Sequence, residues 1–165
     1  MRFIQIPRNF LDLKTKTKFI DVLVFAAIAL HTNGKTYKAR IGMRTISEKY
    51  NITLVKVEES IKRLKANEFL DYTLPKNKDF LMLNPDLLLQ DLKAKEKGIL
   101  IYLQLIAEIG INDIAETTIE GIANRLGITR QTTSKYLKYF VDNGQITKGR
   151  FYYKCHYLAN TKEKE

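Results

Sequence analysis

The sequence predicts a mainly α protein with small β-hairpins, assembled from two tandem copies of one helix-rich unit. Three observations lead there. Residues 46–71 read ISEKYNITLVKVEESIKRLKANEFLD and residues 122–147 read IANRLGITRQTTSKYLKYFVDNGQIT. An offset of 76 residues lays Ile46 on Ile122, Tyr50 on Leu126, Ile52 on Ile128, Val57 on Thr133, Ile61 on Leu137, Leu64 on Phe140 and Leu70 on Ile146. Thr53 and Thr129 occupy the same place in the two copies, just ahead of a 3.6-residue apolar period, where a hydroxyl caps a helix. Each copy reads as a short helix, a tight turn, a second helix and a strand, which is the outline of a winged helix-turn-helix. Five of the 26 aligned positions are identical (Ile46, Ile52, Thr53, Lys62 and Asn67), so residue class carries the repeat.

The totals fit this reading. A chain of 165 residues with 45% hydrophobic residues has room for two small globular units. Each alone would bury a marginal core, so the units are expected to pack on each other or on a second subunit. Against 18 acidic residues stand 28 Lys+Arg, a formal charge of +10. That balance points to a polyanion, nucleic acid ahead of a membrane surface. A surface that simply uses Lys at every solvated position is the alternative. Cys155 is the only cysteine, which excludes an internal disulfide and suits a reducing compartment. The apolar runs 19–30 and 99–111 are interrupted by Asp21 or by Gln104 and Glu108, and both are shorter than the ~20 residues that span a bilayer. With no signal-peptide pattern at residues 1–7, a soluble cytoplasmic protein without a membrane partner is expected.

Element by element, Phe3, Ile4 and Ile6 before Pro7 predict a short edge strand. Thr17 is positioned to cap a helix from Lys18 to about His31, apolar on nearly every side and hence buried in a core or interface. Asn33-Gly34 stops it. Residues 37–41 read as a strand. The first helix-turn-helix covers about 44–66, and Asn67-Glu68 ends it. Residues 69–74 and 80–83 read as two strands joined by Pro75-Lys76-Asn77-Lys78, a hairpin with a basic tip. Asn84-Pro85 closes the first unit. A helix starting near Asp91 and running through Gly98 to residue 109 opens the second, with Gly110 at its C′ position. Residues 113–117 read as a short strand or loop. Thr118 caps the next short helix, which contains Gly121, and Asn143-Gly144 ends the last one. Strands at 145–148 and 151–158 form a second hairpin around Lys148-Gly149-Arg150. The expected division is 1–85, 86–160 and a frayed charged tail at 161–165.

In a helix-turn-helix the second helix enters the major groove, its N-terminal residues facing base edges. In the second copy helical spacing turns Thr133, Leu137 and Phe140 inward. Arg130, Gln131, Thr132, Ser134, Lys135 and Lys138 are left outside. Arg130 suits guanine N7/O6 and Gln131 suits adenine N6/N7, while the hydroxyls and lysines suit phosphate. No acidic residue occurs between Thr129 and Val141. In the first copy Val57, Ile61 and Leu64 point inward, and Leu54, Val55, Lys56, Glu58, Glu59 and Lys62 outward. Glu58 and Glu59 weaken the electrostatic case, and Leu54 and Val55 fit a protein contact as well as a thymine methyl, so DNA contact and partner binding stay open for this helix. The hairpin tips add Lys76 and Lys78, then Lys148, Arg150 and Lys154, for phosphate or the minor groove, or as ordinary solvated lysines. The DNA-contact set is thus Arg130, Gln131, Thr132, Ser134, Lys135, Lys138, Lys148, Arg150, Lys56, Lys62, Lys76 and Lys78. His31 fits a helix C-terminus, and Cys155-His156 alone makes no zinc site. No nucleophile elbow, phosphate loop or HExxH pattern appears, and the spacing of Tyr102, Tyr136, Tyr139, Tyr152, Tyr153 and Tyr157 fits packing. No enzyme activity, cofactor or metal is expected.

Residues 92–103, LKAKEKGILIYL, followed by IEGIANRLGITRQTTSKYLKYFVDNGQI at 119–146, resemble the winged-helix domain of replication and regulatory proteins of phages and plasmids in low-GC bacteria. Asp142-Asn143-Gly144-Gln145 stands where that family usually has Glu-Ala-Gly-Tyr. Phe3-Ile4-Gln5-Ile6-Pro7 looks like the opening of plasmid initiator and replisome-organiser N-terminal domains. The resemblance implies a double-stranded DNA-binding protein, either a transcriptional regulator of a mobile element or an origin-binding replication or transfer accessory protein. Its partners would be duplex DNA and a possible second copy or a replication or transfer protein. A winged helix that binds protein and not DNA remains the third expectation.

Overall fold

The computed structural model describes residues 4–31, 41–70, 80–109, 118–148 and 153–155. Among them the chain is mainly helical with two small antiparallel sheets. In order the elements are β1 (Ile4–Pro7), α1 (Lys18–Leu30), α2 (Met43–Tyr50), α3 (Leu54–Ala66), β2 (Phe80–Leu83), α4 (Ala94–Ile109), α5 (Ile119–Leu126), α6 (Arg130–Asp142), β3 (Ile146–Lys148) and β4 (Tyr153–Cys155). A 3-10 turn follows each of the first two strands, at Arg8–Asp12 and Pro85–Leu89.

The repeat extends beyond the segment in which the sequence displays it. β2 starts 76 residues after β1, α4 after α1, α5 after α2 and α6 after α3. The agreement reaches single hydrogen bonds. Asn51 and Gly127, both left-handed, close the first helix of each pair, their N–H groups donating to Ser47 and Ala123 carbonyls. The next N–H groups, of Ile52 and Ile128, return to the same carbonyls at 3.0 and 3.2 Å, a C-terminal closure that satisfies carbonyls left open by the helix end. Thr53 and Thr129 cap α3 and α6 by accepting from the Lys56 and Thr132 N–H groups. At the far ends Asn67 and Asn143 donate side-chain amide protons to the Arg63 and Tyr139 carbonyls. Glu68 and Gly144 then turn the chain with positive φ. A Glu in that conformation is strained where a Gly is not.

The two copies meet through their equivalent elements. β1 pairs antiparallel with β2, Ile4 opposite Leu83, Gln5 opposite Met82, Ile6 opposite Leu81 and Pro7 opposite Phe80. α1 packs along α4, and Gly98 is what lets them close: a Cβ there would fall 2.1 Å from the Phe19 carbonyl oxygen. Phe19 meets Tyr102 edge to face at 5.3 Å, and the Tyr102 hydroxyl donates to the Phe10 carbonyl at 2.7 Å. One apolar core results, running from Ile4 and Ile6 through α1 and α4 to Ile122, Leu137, Phe140 and Ile146. α1 is buried on most of its circumference, as its pattern predicts.

The structure corrects several expectations. Residues 80–83 pair with β1, a partner the sequence reading does not give them. Phe69 and Leu70 form a bend in place of a strand. Phe69 stacks on Phe10 with centroids 3.9 Å apart, and this apolar contact outweighs its strand propensity. The rest of that hairpin, residues 71–79, lies outside the described residues, as do residues 37–40. Thr17 does not cap α1; its hydroxyl faces Asp21 at 3.4 Å. α4 begins at Ala94, three residues beyond the expected start, where the Glu96 carboxylate accepts from the Lys93 N–H. The C-terminal hairpin pairs Ile146 with Cys155 and Lys148 with Tyr153.

Candidate nucleic-acid interface

The local structure of α6 follows from its sequence. Thr129 Oγ1 accepts from the Thr132 N–H at 3.2 Å and donates to the Thr132 hydroxyl at 2.8 Å. The Thr133 hydroxyl donates back to the Thr129 carbonyl at 2.9 Å, which lets a polar residue occupy a fully buried position. Thr133, Leu137 and Phe140 are buried, so the opposite face must be solvent. On it Arg130, Gln131, Ser134, Lys135 and Lys138 are exposed and Thr132 is half-buried. Lys148, on β3, is exposed as well. Ser134, Lys138 and Lys148 converge with Ile119 and Val141 on an open cavity of about 300 Å³. A concavity with two ammonium groups and a hydroxyl at its edge suits an anionic oxygen.

On α3, Lys56, Glu58, Glu59 and Lys62 are exposed, and Val55 is 61% exposed. Val57 and Leu64 are buried, while Ile61 is half-buried. Lys76, Lys78 and Arg150 lie outside the described residues.

Sequence reading missed how some charges are engaged internally. Asp21, which reads only as an interruption of an apolar run, is 3% exposed. Its carboxylate accepts from the Ser60 hydroxyl at 2.7 Å and from Arg63 Nε and an Arg63 terminal nitrogen at 3.0 and 2.8 Å. This bidentate pair clamps α3 to α1, and the hydrogen bond to Asp21 raises the Arg63 pKa. Arg63 is therefore held by protein and not offered to a ligand. Lys97 is buried too: its ammonium donates to the Leu88 carbonyl at 2.7 Å and sits 5.2 Å from the Tyr50 ring centroid. Burial pushes its pKa down, with Lys49 adding and Asp91 opposing. Lys18, over Phe19 and Tyr102, is likewise lowered by burial and by Lys14. The formal charge of +10 overstates the surface charge by these buried groups. The only advance signal was position: Lys18, Asp21 and Lys97 stand inside strongly apolar helices.

His31 forms the C-terminal boundary of α1. Among the described residues no group of three His, Cys, Asp or Glu side chains is placed to hold a metal ion. None of their helices is long and apolar enough to cross a membrane. Comparison with protein-family models, with curated proteins and with solved structures gives no match for this chain.

Proposed function

We propose that the chain is a sequence-preferring double-stranded DNA-binding protein, its two copies acting as tandem winged helix-turn-helix units. The observation that carries this reading is the solvent face of α6: Arg130, Gln131, Ser134, Lys135 and Lys138 exposed on one helix, with no carboxylate from Arg130 to Val141. In this reading Arg130 and Gln131 read bases, and Lys135, Lys138 and Lys148 hold phosphate, with Ser134 at the edge of the same cavity. Lys76, Lys78 and Arg150 belong to the same proposal. The simplest biological role is transcriptional regulation of a mobile element, without cofactor or catalysis.

A second reading rests on the exposed Val55 beside Leu54 on α3. Apolar residues at the start of an otherwise polar helix suit a protein partner, as an origin-binding replication or transfer accessory protein requires.

Duplex binding at rising salt tests the proposal. Affinity should fall linearly on a log–log plot, with a slope near −0.9 for each phosphate neutralised. Absence of duplex binding at low salt would leave the protein-interaction alternative. Sites mapped to promoters, to iterated origin repeats or to a transfer origin would separate the biological roles.

A further inference from the structure

The segment between β1 and α1 carries the first copy onto the helix-turn-helix of the second. Lys18, the first residue of α1, is buried. Its ammonium lies beside Gly127, where a Cβ would come within 3.3 Å of it. Gly127 is the left-handed residue that closes α5, just ahead of α6. The segment leading to Lys18 supplies Leu11 and Lys14 to an open cleft of about 250 Å³, whose other lining residues are Ile106 of α4 and Asn124 and Arg125 of α5. Lys14, Asn124 and Arg125 are exposed. Among the described residues no carboxylate lines this cleft.

We infer that this cleft is a second seat for backbone phosphate, through which the loop of the first copy completes the duplex interface of α6. The inference rests on the duplex-binding reading. In a helix-turn-helix the first helix crosses the backbone while the N-terminal end of the second faces base edges. α5 holds the first of these places, and Asn124 and Arg125 are exposed in its last turn. A guanidinium, an ammonium and an amide N–H all donate to phosphate oxygens. Leu11 is half-buried and Ile106 buried, so the cleft is backed by apolar surface, which lowers the local dielectric and strengthens the attraction.

This seat is distinct from the one at Ser134, Lys138 and Lys148. That cavity opens along the side of α6 beyond its first turn, whereas the cleft lies by the turn that precedes α6, and the two share no lining residue. Asp12 and Glu120, exposed and near in sequence, line neither of them. The charge around the turn is of one sign. Burial holds the Lys18 ammonium below the ordinary lysine range, and repulsion from Lys14 adds to it. An anionic oxygen in the cleft offsets that repulsion. The first copy thus has a route to the duplex that does not depend on what α3 contacts.

Salt titration of the full chain on a selected duplex and on a random one supplies the test. Lys14→Ala should weaken both duplexes by the same factor, lower the slope of log affinity against log salt by about 1, and leave base preference unchanged. Lys14→Glu should weaken both further. Lys65→Ala removes an equal charge from the exposed end of α3 and should leave the slope as it is. Ethylation of single phosphates should reveal two separate interfering groups, with Lys14→Ala losing sensitivity to one and Lys148→Ala to the other. An unchanged slope for Lys14→Ala, the same loss for Lys65→Ala, or one phosphate group affected by both variants overturns the inference while duplex binding stands. So does inorganic phosphate that raises the thermal midpoint of the wild-type chain but not of Lys14→Ala while the slope is unaltered, which assigns the cleft to a free anion. No duplex binding at low salt removes the underlying reading as well.

Discussion

At the scale of single residues, exposure separates side chains open to solvent from those that hold the fold. Arg130 is exposed at the first turn of α6, where it makes no contribution to the buried face. Its removal should leave stability within about 0.5 kcal/mol. On a cognate duplex Arg130→Ala should cost ~1–3 kcal/mol and relax preference at one base pair, read by competition against single-base variants. Equal losses on cognate and random duplex would make it a phosphate anchor. Tyr102 is the opposite case. Burial pushes its phenol well above the ordinary tyrosine range, with the Asp21 charge adding to the shift. Below about pH 10 the phenol is neutral in both folded and unfolded chains and the shift has no effect. Above that, the unfolded chain ionises first and stability falls as pH rises. Tyr50 and Tyr136 act in the same direction. Lys18 and Lys97, lowered by burial, act oppositely, since the unfolded chain holds their protons longer up to its own pKa. Tyr102 carries the largest phenol shift, so urea midpoints should drop above pH 10, and Tyr102→Phe should flatten that drop. A midpoint independent of pH up to 12 would contradict the buried phenol.

Among the elements, the contact between α1 and α4 is the least tolerant. The atom that a new Cβ at Gly98 would strike is backbone, not the movable end of a side chain. Gly98→Ala should therefore destabilise the chain by about 1–3 kcal/mol despite the better helix propensity of alanine, measured as a shift in thermal or urea midpoint. A stabilised variant would show that the helices lie farther apart. This contact also marks the limit of what the sequence displays. The helix pairs were legible because caps and turns are local: Thr53, Thr129, Asn67 and Asn143 act within four residues of themselves, and the apolar period of α6 sorts its buried from its exposed side chains. The partner of residues 80–83 was not legible. A strand's own sequence carries no label for which of two edges it joins, and Pro75 with Asn77 made the nearer edge the natural expectation. The repeat of β1 in β2 was also hidden, since IQIP and FLML share apolar character and little else. Of the candidate interface, the exposed face of α6 is readable from spacing alone. The internal use of Arg63 and Lys97 depends on Asp21 and Tyr50, each distant in sequence, and only the fold reveals it.

For the molecule as a whole, the sharing of equivalent elements decides how it unfolds. Two separable units would each carry a private core, joined by a polar contact of modest area. Here the opposite holds. β1 finds its described partner in the second copy, α1 lies on α4, and buried side chains from both copies form a single cluster. Removing either copy strips one strand of its ladder and exposes Val22, Leu23 and their neighbours, or Ile99 to Ala107, to water. Each such side chain is worth about 1.5–3 kcal/mol when fully buried, so losing several exceeds the 5–15 kcal/mol that holds an ordinary domain together. The full chain should consequently unfold in one urea transition, with far-UV circular dichroism and the near-UV signal of its tyrosines superimposed. Residues 1–79 or 80–165 expressed alone should lack a cooperative transition. Two resolved transitions in the full chain, or a fragment that folds by itself, would mean that the copies are independent. The fixed relation between α3 and α6 would then be lost, because the shared core is what holds the two helices in one arrangement.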